Sequence, residues 1–371
     1  MSNHLSFSTL EMVDRLKLIR QRMTDLRRDA LITTNAANIR YATGFRGEPR
    51  TLLITQKEAI LFTSFRSSSW AEAQTTQLDS FLEISTEADP LSSIQKRLSK
   101  CPLALGVDHT ISHNDLLKWR SQLTLHALRP ASVIEETRKI KSPAEIALLQ
   151  KSQQINEQVF QAILPKTHPG MTERAIQGLI LAEMAANEDI DRYSFMPIVA
   201  VGPNCWEIHH LPDNTIIKYN DLLLIDLGVI HQGYASDMTR MVCLGQASHE
   251  MQEIHEIVRT AKQAASEAMS PGKSNHEIDK VARNIIEASG HGKTFTHGLG
   301  HSIGLETHDP GLNLSPRAPE TTLAAGMALT VEPGIYLEGR FGVRIEDIVV
   351  INDEGNQNIT AQTSSLIELD L

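Results

Sequence analysis

Four carboxylates stand beside two turns in a way that suggests metal chemistry. Asp226 and Asp237 flank the turn His231-Gln232-Gly233, and Glu332 and Glu346 flank a turn containing Gly339. The flanking runs, DLLLIDLGVI with GYASDMTRMVCLG and GMALTVEPGIYL with GVRIEDIVVI, are rich in strand formers, so each pair reads as a hairpin. Paired strands bring such residues side by side where register allows. Carboxylates crowded in a sheet repel one another and hold their protons more tightly, so four of them together call for cations. Carboxylates plus a histidine suit Mn²⁺, Co²⁺, Fe²⁺ or Zn²⁺. Histidines are close in sequence: His297, His301 and His308 punctuate FTHGLGHSIGLETHD, where Gly298, Gly300 and Gly304 let the backbone pass close to a neighbour. A further pair, His209-His210, precedes Leu211-Pro212. The sequence has no CxxC, phosphate-binding P-loop or GxSxG elbow to compete with this cluster.

Each residue also has an ordinary reading. Asp226 follows an apolar run, where an unpaired charge would be costly, so a ligand role is favoured. Asp237 and Thr239 alone read as outward-facing strand residues; the pairing with Asp226 lifts Asp237. Glu332 alone could simply end a strand. Asp347 beside Glu346 is expected to be structural, and Arg344 to neutralise carboxylates. His297 and His210 stay open between core and function. His231, His249, His255, His276 and His291 read as surface residues, and Cys205 as filler rather than nucleophile.

The elements that must position these groups form a repeating order. Ser142-Pro143-Ala144-Glu145 starts a helix, with Ser as cap, Pro first inside and Glu three after the cap. Pro169-Gly170 breaks the chain, and Thr172 caps a helix over roughly 173–187, followed by strands and the first hairpin. Ser248 then caps a third helix to about Met269, Pro271-Gly272 breaks it, and Ser274 with Glu277 opens a fourth that ends at Gly290. The second hairpin follows. This order, helix, helix, hairpin, repeated once, implies a duplicated α+β unit with pseudo-twofold symmetry. Residues up to about Glu136 instead alternate short strands (29–34, 51–55, 59–63, 103–107) with helix-prone stretches, an α/β pattern. Leu10, Val13, Leu16, Ile19 and Met23 recur at helical spacing and read as a surface helix.

Taken in order, DLGVIHQGYASDMTR, HGLGHSIGLETHD, VEPGIY and GVRIED resemble the M24 metallopeptidases, which include proline dipeptidase, aminopeptidase P, methionine aminopeptidase and creatinase. The resemblance covers about residues 140–371. NIRYATGF (38–45) and its surroundings are similar to the N-terminal domain of prolidase, aminopeptidase P and creatinase, which methionine aminopeptidase lacks. The resemblance implies an α+β fold: a creatinase-like α/β domain over 1–136 and a pita-bread metallopeptidase domain over 137–371. It implies two divalent ions per chain, Mn²⁺ first with Co²⁺, Zn²⁺ or Fe²⁺ as alternatives. Asp226, Asp237, His301, Glu332 and Glu346 would be the ligands, with Asp237 and Glu346 bridging. His209 and His308 match the histidines that contact substrate or the tetrahedral intermediate, and Glu332 would take the proton of the attacking water. Arg344 matches an arginine behind the ligands in part of the family and is grouped with the substrate-binding residues. Creatinase keeps the fold without this ligand set, so a metal-free reading is disfavoured.

The activity implied is hydrolysis of the Xaa-Pro bond, as an Xaa-Pro dipeptidase or aminopeptidase, by a homodimer whose N-terminal domain edges the partner's site. Some positions depart from the prolidase pattern. Asp309 stands where many prolidases have Glu, Leu312 occupies the place of an arginine that grips the dipeptide carboxylate, and Trp206-Glu207 is unusual. Trp206 and Glu207 would suit a cationic small molecule, which keeps open a metal hydrolase or lyase of a non-peptide solute. A non-catalytic binding protein is the third reading, against which the intact ligand set speaks.

A formal net charge of -10 argues against nucleic acid as partner. No run approaches the ~20 apolar residues of a membrane span, and nothing resembles a signal peptide. Three scattered cysteines, Cys101, Cys205 and Cys243, suggest a reducing, cytoplasmic setting.

Overall fold

The structure, a computed structural model, describes residues 9–78, 80–98, 103–123 and 125–370. Cys101 and the first eight residues of the N-terminal reading lie outside these. The chain divides into two compact units between Arg138 and Lys139.

In the first unit, α1 (Thr9–Asp25) leads to β1 (Ala30–Thr33), α2 (Ala36–Thr43), β2 (Pro49–Thr55) and β3 (Ala59–Thr63). The polar stretch that follows holds α3 (Ser68–Thr75), a short β4 (Glu83–Ser85) and α4 (Pro90–Leu98). β5 (Leu103–Val107), α5 (His113–Gln122), β6 (Leu125–Pro130) and α6 (Val133–Arg138) complete it. The strands form one mixed sheet in the order β4-β3-β2-β1-β5-β6. The buried face of α1 is Met12, Leu16, Ile19 and Met23, whereas Leu10, grouped with them by spacing, is 70% exposed. That helix buries one apolar stripe in its unit and leaves Leu10 and Leu18 in solvent, as an amphipathic surface helix does.

The second unit opens with α7 (Pro143–Ile163), whose capping box of Ser142 and Glu145 forms as the sequence implies, and α8 (Glu173–Ala186), capped by Thr172. Strands β7 (Arg192–Tyr193), β8 (Ile198–Val201), β9 (Leu222–Leu227), β10 (Val229–His231), β11 (Tyr234–Ala235) and β12 (Met238–Leu244) follow. The pattern repeats with α9 (His249–Ala268) and α10 (Asn275–Ala288), whose cap is the Ser274–Glu277 box. Then come β13 (Gly300–His301), β14 (Asn313–Leu314), β15 (Ala328–Val331), β16 (Gly334–Leu337), β17 (Phe341–Arg344), β18 (Asp347–Asn352), β19 (Gly355–Asn358) and β20 (Ile367–Leu369).

The two halves are tied by the same local bonds, which supports a duplicated unit. The N–H groups of Gly170 and Glu173 donate to the carbonyls of Ile217 and Thr215, and those of Gly272 and Asn275 donate likewise to Leu323 and Thr321. Thr172 bridges Ile216 as Ser274 bridges Thr322. Each helix pair covers its own hairpin. Ile155, Val159, Phe160, Ile176 and Ile180 pack on the strands around Ile225 and Val242. Ile254, Val258, Ile278, Ala282 and Ile286 pack on those around Leu329 and Val349.

The hairpins turn where the sequence places them. Gln232 and Gly233 both have positive φ, as a two-residue primed turn requires, and Gly339 does so in the second. The long strands are not continuous, however. β9 and β10 separate at Gly228, β11 and β12 at Ser236-Asp237, β15 and β16 at Glu332-Pro333, and β17 and β18 at Ile345-Glu346. Three of the four carboxylates thus sit at interruptions, where side chains leave the regular alternation of the sheet. Pro333 has no N–H to give a ladder, which is one cause.

Candidate active site

Register decides which carboxylates meet. Asp226 lies opposite Thr239, so Asp237, two residues earlier on the return strand, falls on the same face but diagonal to it. In the second hairpin Val331 pairs with Asp347 and Gly334 with Arg344, and the same register carried through the break sets Glu332 opposite Glu346. The hairpins join where Glu346 N donates to Thr239 O (3.2 Å) and the Thr239 hydroxyl donates to Glu346 Oε2 (2.8 Å). β13 brings in His301 and lies close against β15, an approach that Gly300 allows because any Cβ there would collide with the carbonyl of Thr330. All eight residues singled out by sequence line one cavity of about 980 Å³: Asp226, Asp237, His301, Glu332, Glu346, His209, His308 and Arg344.

Several features fit this wall to a cation. His301 Nδ1 faces the carbonyl of Ser302 (3.1 Å), which can only accept, so that nitrogen carries the proton. Nε2 then turns a lone pair toward Glu332 Oε1 (3.5 Å) and Asp237 Oδ2 (3.7 Å). Burial, with His308 nearby, lowers the His301 pKa to about 4, so the ring is neutral. Lone pairs aimed at one another across such a gap are unfavourable unless a proton or a metal cation lies between them. Ligand atoms of Asp237, His301 and Glu346 lie within 4.8 Å of one another. Asp226 Oδ2 accepts Arg344 Nη2 (2.7 Å), but its Oδ1 is buried with no hydrogen-bond partner among the described residues. The one hydroxyl proton of Thr239, its cross-strand neighbour, is committed to Glu346. The carboxyls respond as crowded, buried acids do. Burial, then Asp226 and Glu332, holds Asp237 well above its ordinary range, and burial, then Asp237, does the same to Glu346. Burial pushes Glu332 up to about 8 although Arg344 pulls the other way.

Arg344 is spent on this wall. Its guanidinium donates to Asp226, to the Thr239 hydroxyl (3.1 Å), to the Tyr336 hydroxyl (3.2 Å) and to the carbonyl of Ile208 (3.3 Å). The substrate-binding role grouped with it above is therefore not what these contacts serve; they orient Asp226 and offset its charge. Asp347 is structural as expected, paired with Arg240 and Lys262 in the interior. Arg240 also donates to the carbonyls of Thr239 and Glu346 and to those of Gln362 and Thr363, fixing the backbone behind the carboxylates.

The remaining histidines separate. His308 stacks edge-on against His301, with ring centroids 4.2 Å apart, and its pKa is lowered by burial and by His209. His209 is exposed on the cavity wall. His297 also lines the cavity, bonded to Gly298 O and to the Tyr336 hydroxyl (2.9 Å). His210 is buried between Glu173 and Glu207. His231 and His255 are buried too, against the surface reading: His231 meets the carbonyl of Asp189, and His255 lies on the inner face of α9. Cys205 is a buried filler whose thiol burial pushes up to about 12.

The rest of the wall has two characters. Phe195, Met196, Ile208, Leu211 and Pro212 are apolar lining residues, and Thr296, Asn313, Ser315 and Arg317 are polar ones. Neither Trp206 nor Glu207 is among the cavity-lining residues, so the feature that favoured a cationic solute is not on the wall. Leu312 is buried in the core, and Arg317, five positions on, is the arginine of this loop that reaches the cavity. Sequence reasoning passed over Tyr336 and Arg317 and took Thr239 for an outward-facing strand residue, whereas it is buried behind the carboxylates. Only Thr239 carried a signal, having the same strand parity as Asp237.

Comparison with known proteins agrees with this geometry. The profile of metallopeptidase family M24 matches residues 147–353, and that of the creatinase/prolidase N-terminal domain matches residues 15–140. The chain is 33% identical to the Xaa-Pro dipeptidase of Lactobacillus delbrueckii subsp. lactis, over 91% of this chain and 94% of that protein. Among solved structures it is similar to an Xaa-Pro dipeptidase from Bacillus anthracis, with 31% identity and a TM-score of 0.89 over 96% of this chain and all of that one. It is also similar to an X-Pro aminopeptidase from Thermotoga maritima, with 28% identity and a TM-score of 0.87 over 95% of this chain and 99% of that one. With the domain order, the pita-bread fold and the carboxylate-histidine wall all in agreement, the chain belongs to metallopeptidase family M24, with a creatinase/prolidase N-terminal domain.

Proposed function

We propose that this protein is a two-metal peptidase that hydrolyses the bond before proline in short peptides. The observation that carries the reading is the cavity wall itself: three buried carboxylates, the half-buried Glu332, and a neutral histidine whose free lone pair faces two of the four. Asp226, Asp237, His301, Glu332 and Glu346 would hold the ions, Mn²⁺ first. Such ions polarise a scissile carbonyl and acidify a water.

The chain's own groups do the rest. Glu332 faces the cavity and is the base that takes the attacking water's proton and passes it to the leaving nitrogen. His308, neutral because burial lowers its pKa, donates an N–H to the developing oxyanion. His209 on the exposed side of the cavity positions the peptide. Arg344 and Thr239 keep Asp226 and Glu346 in place. The apolar lining residues Phe195, Met196 and Pro212 suit a pyrrolidine ring or an apolar side chain beside it. Proline as the leaving residue has no N–H and a fixed φ, so a site that grips the carbonyl end suits it better than one that reads an extended strand.

Residues 1–136 and 137–371 are proposed as the functional division, with the first part closing a homodimer's sites. A cavity of about 980 Å³ is spacious for a dipeptide and would gain from a further wall. A cytoplasmic setting accords with the buried free thiols of Cys205 and Cys243. No helix among the described residues is long and apolar enough to cross a membrane. The test compares an Xaa-Pro dipeptide, a longer Xaa-Pro peptide and the matching Xaa-Ala peptides in Mn²⁺. Cleavage confined to the proline peptides is expected, and the length series separates dipeptidase from aminopeptidase. Equal cleavage of Xaa-Ala peptides would refute the proline reading. Light scattering should report about twice the 41.1 kDa chain mass, and a clean monomer would remove the dimer.

A further inference from the structure

The segment from Glu207 to Asn220, between β8 and β9, carries His209 to the cavity and has neither helix nor strand of its own. One buried side chain supplies several of its ties to the fold. Glu173, the first residue of α8, is 0% exposed and accepts four hydrogen bonds. Oε1 takes Val201 N (2.8 Å) and Asn204 Nδ2 (2.9 Å), and Oε2 takes His210 Nε2 (2.7 Å) and Asp213 N (2.9 Å). One carboxylate thus pins the stretch before, beside and after His209. The other ring nitrogen, His210 Nδ1, lies 2.8 Å from Glu207 Oε2.

The protonation of His210 follows from this geometry. Glu173 accepts two backbone N–H groups and an amide besides the ring, so every bond it makes is one a carboxylate oxygen accepts. With a carboxylate at each ring nitrogen, both nitrogens must donate, which only the imidazolium does. Glu173, His210 and Asp213 are also residue types that bind metals, but the four donors on Glu173 complete the pair without one. We infer that the Glu173–His210 ion pair is the positioning device for His209, and that it works only while His210 is a cation. This rests on the catalytic reading of His209 given above.

The charged groups around the ring are few. Glu173 comes from α8, Glu207 and Asp213 from the same segment, Arg174 of α8 donates to Pro212 O, and Arg344 of β17 donates to Ile208 O. Burial alone would lower the His210 pKa. The hydrogen bonds to Glu207 and Glu173 outweigh it and hold the value above 6.5. A histidine raised in the folded state contributes its full hold below the unfolded value and loses it as pH rises through the folded one. The proton then leaves Nδ1, which turns a lone pair on the exposed Glu207 carboxylate, so the segment loses its tie at Glu207, two residues before His209, while the backbone and amide bonds to Glu173 stay. His209 loses its fixed position, and kcat falls on the alkaline side with KM less affected.

Hydrogen exchange of the amides in 201–215, corrected for the intrinsic pH dependence, tests this in metal-loaded protein with no substrate. Wild type should lose protection in this segment above the pH at which His210 deprotonates. Glu207→Gln should move that loss about one unit lower, the order of one charge-assisted hydrogen bond. His210→Gln, whose amide still reaches Glu173 but never titrates, should show no such step. The alkaline limb of kcat on an Xaa-Pro peptide should move with the exchange midpoint in Glu207→Gln, with metal content unchanged. One pH-independent exchange profile in all three proteins overturns the ion-pair device. An exchange midpoint that moves while the kcat limb stays fixed overturns its link to His209. If Xaa-Pro peptides are not cleaved at all, the exchange arm still decides whether the device exists.

Discussion

Replacing Glu332 with glutamine should stabilise the metal-free protein and disable the loaded one. Burial holds the Glu332 carboxyl at about 8, against an ordinary 4.5. The folded state therefore keeps a proton that the unfolded chain has released. Stability falls as pH rises from about 4.5 to about 8, and the deficit stays constant above that. At ~1.4 kcal/mol per pH unit the ceiling of this penalty is roughly 5 kcal/mol. Water admitted to the open cavity as the carboxylates ionise screens part of it, leaving about 3 kcal/mol. For a domain of this size that is ~6–12 °C in Tm. Calorimetry of wild type and Glu332→Gln in chelator should show nearly equal melting temperatures at pH 5, where acid and amide are near-isosteric and both neutral. The variant should be ahead by that margin at pH 8. Adding Mn²⁺ should reverse the order at pH 8, because the wild type gains the binding energy that the variant has lost. A Tm difference independent of pH, or a variant that melts below wild type at pH 8 in chelator, would refute the argument.

Other substitutions separate the roles on the cavity wall. His308→Ala should keep both metals by elemental analysis and lose about 10²–10³ in kcat, the scale of one missing oxyanion donor; metal loss would make His308 a ligand. Asp237→Ala or Glu346→Ala should empty both metal positions together, since each carboxylate is assigned to both ions, and the loss of only one ion would reassign them. Arg317→Ala should raise KM by on the order of 10-fold for a dipeptide with a free carboxylate, the scale of one charge-assisted hydrogen bond. The dipeptide amide should be little affected, and equal effects on both would remove Arg317 from carboxylate recognition.

Much of the site was legible because turn chemistry fixes register. A two-residue turn at Gln232-Gly233 sets Thr239 opposite Asp226, and a turn centred on Gly339 sets Glu332 opposite Glu346. The capping signals at Ser142, Thr172, Ser248 and Ser274 fixed all four helix starts, because a cap is satisfied within one turn of its own chain. What escaped depends on contacts distant in sequence. Asp237, Glu332 and Glu346 sit at strand interruptions that a continuous apolar run conceals. Tyr336 matters only because Arg344 and His297 converge on its hydroxyl. His210 could not be told from a core or catalytic histidine until Glu173 was found on its other side, and Arg317 had no neighbour in sequence to mark it.

The central claim, a peptidase that works through the carboxylate-histidine wall, is tested most directly by one titration. Proline release from an Xaa-Pro dipeptide is followed as Mn²⁺ is returned to chelator-treated protein, with bound metal counted at each step. No release is expected without metal, and full activity at close to two equivalents per chain. Proline release that survives chelation, or a fully loaded protein that leaves the dipeptide intact, would contradict it.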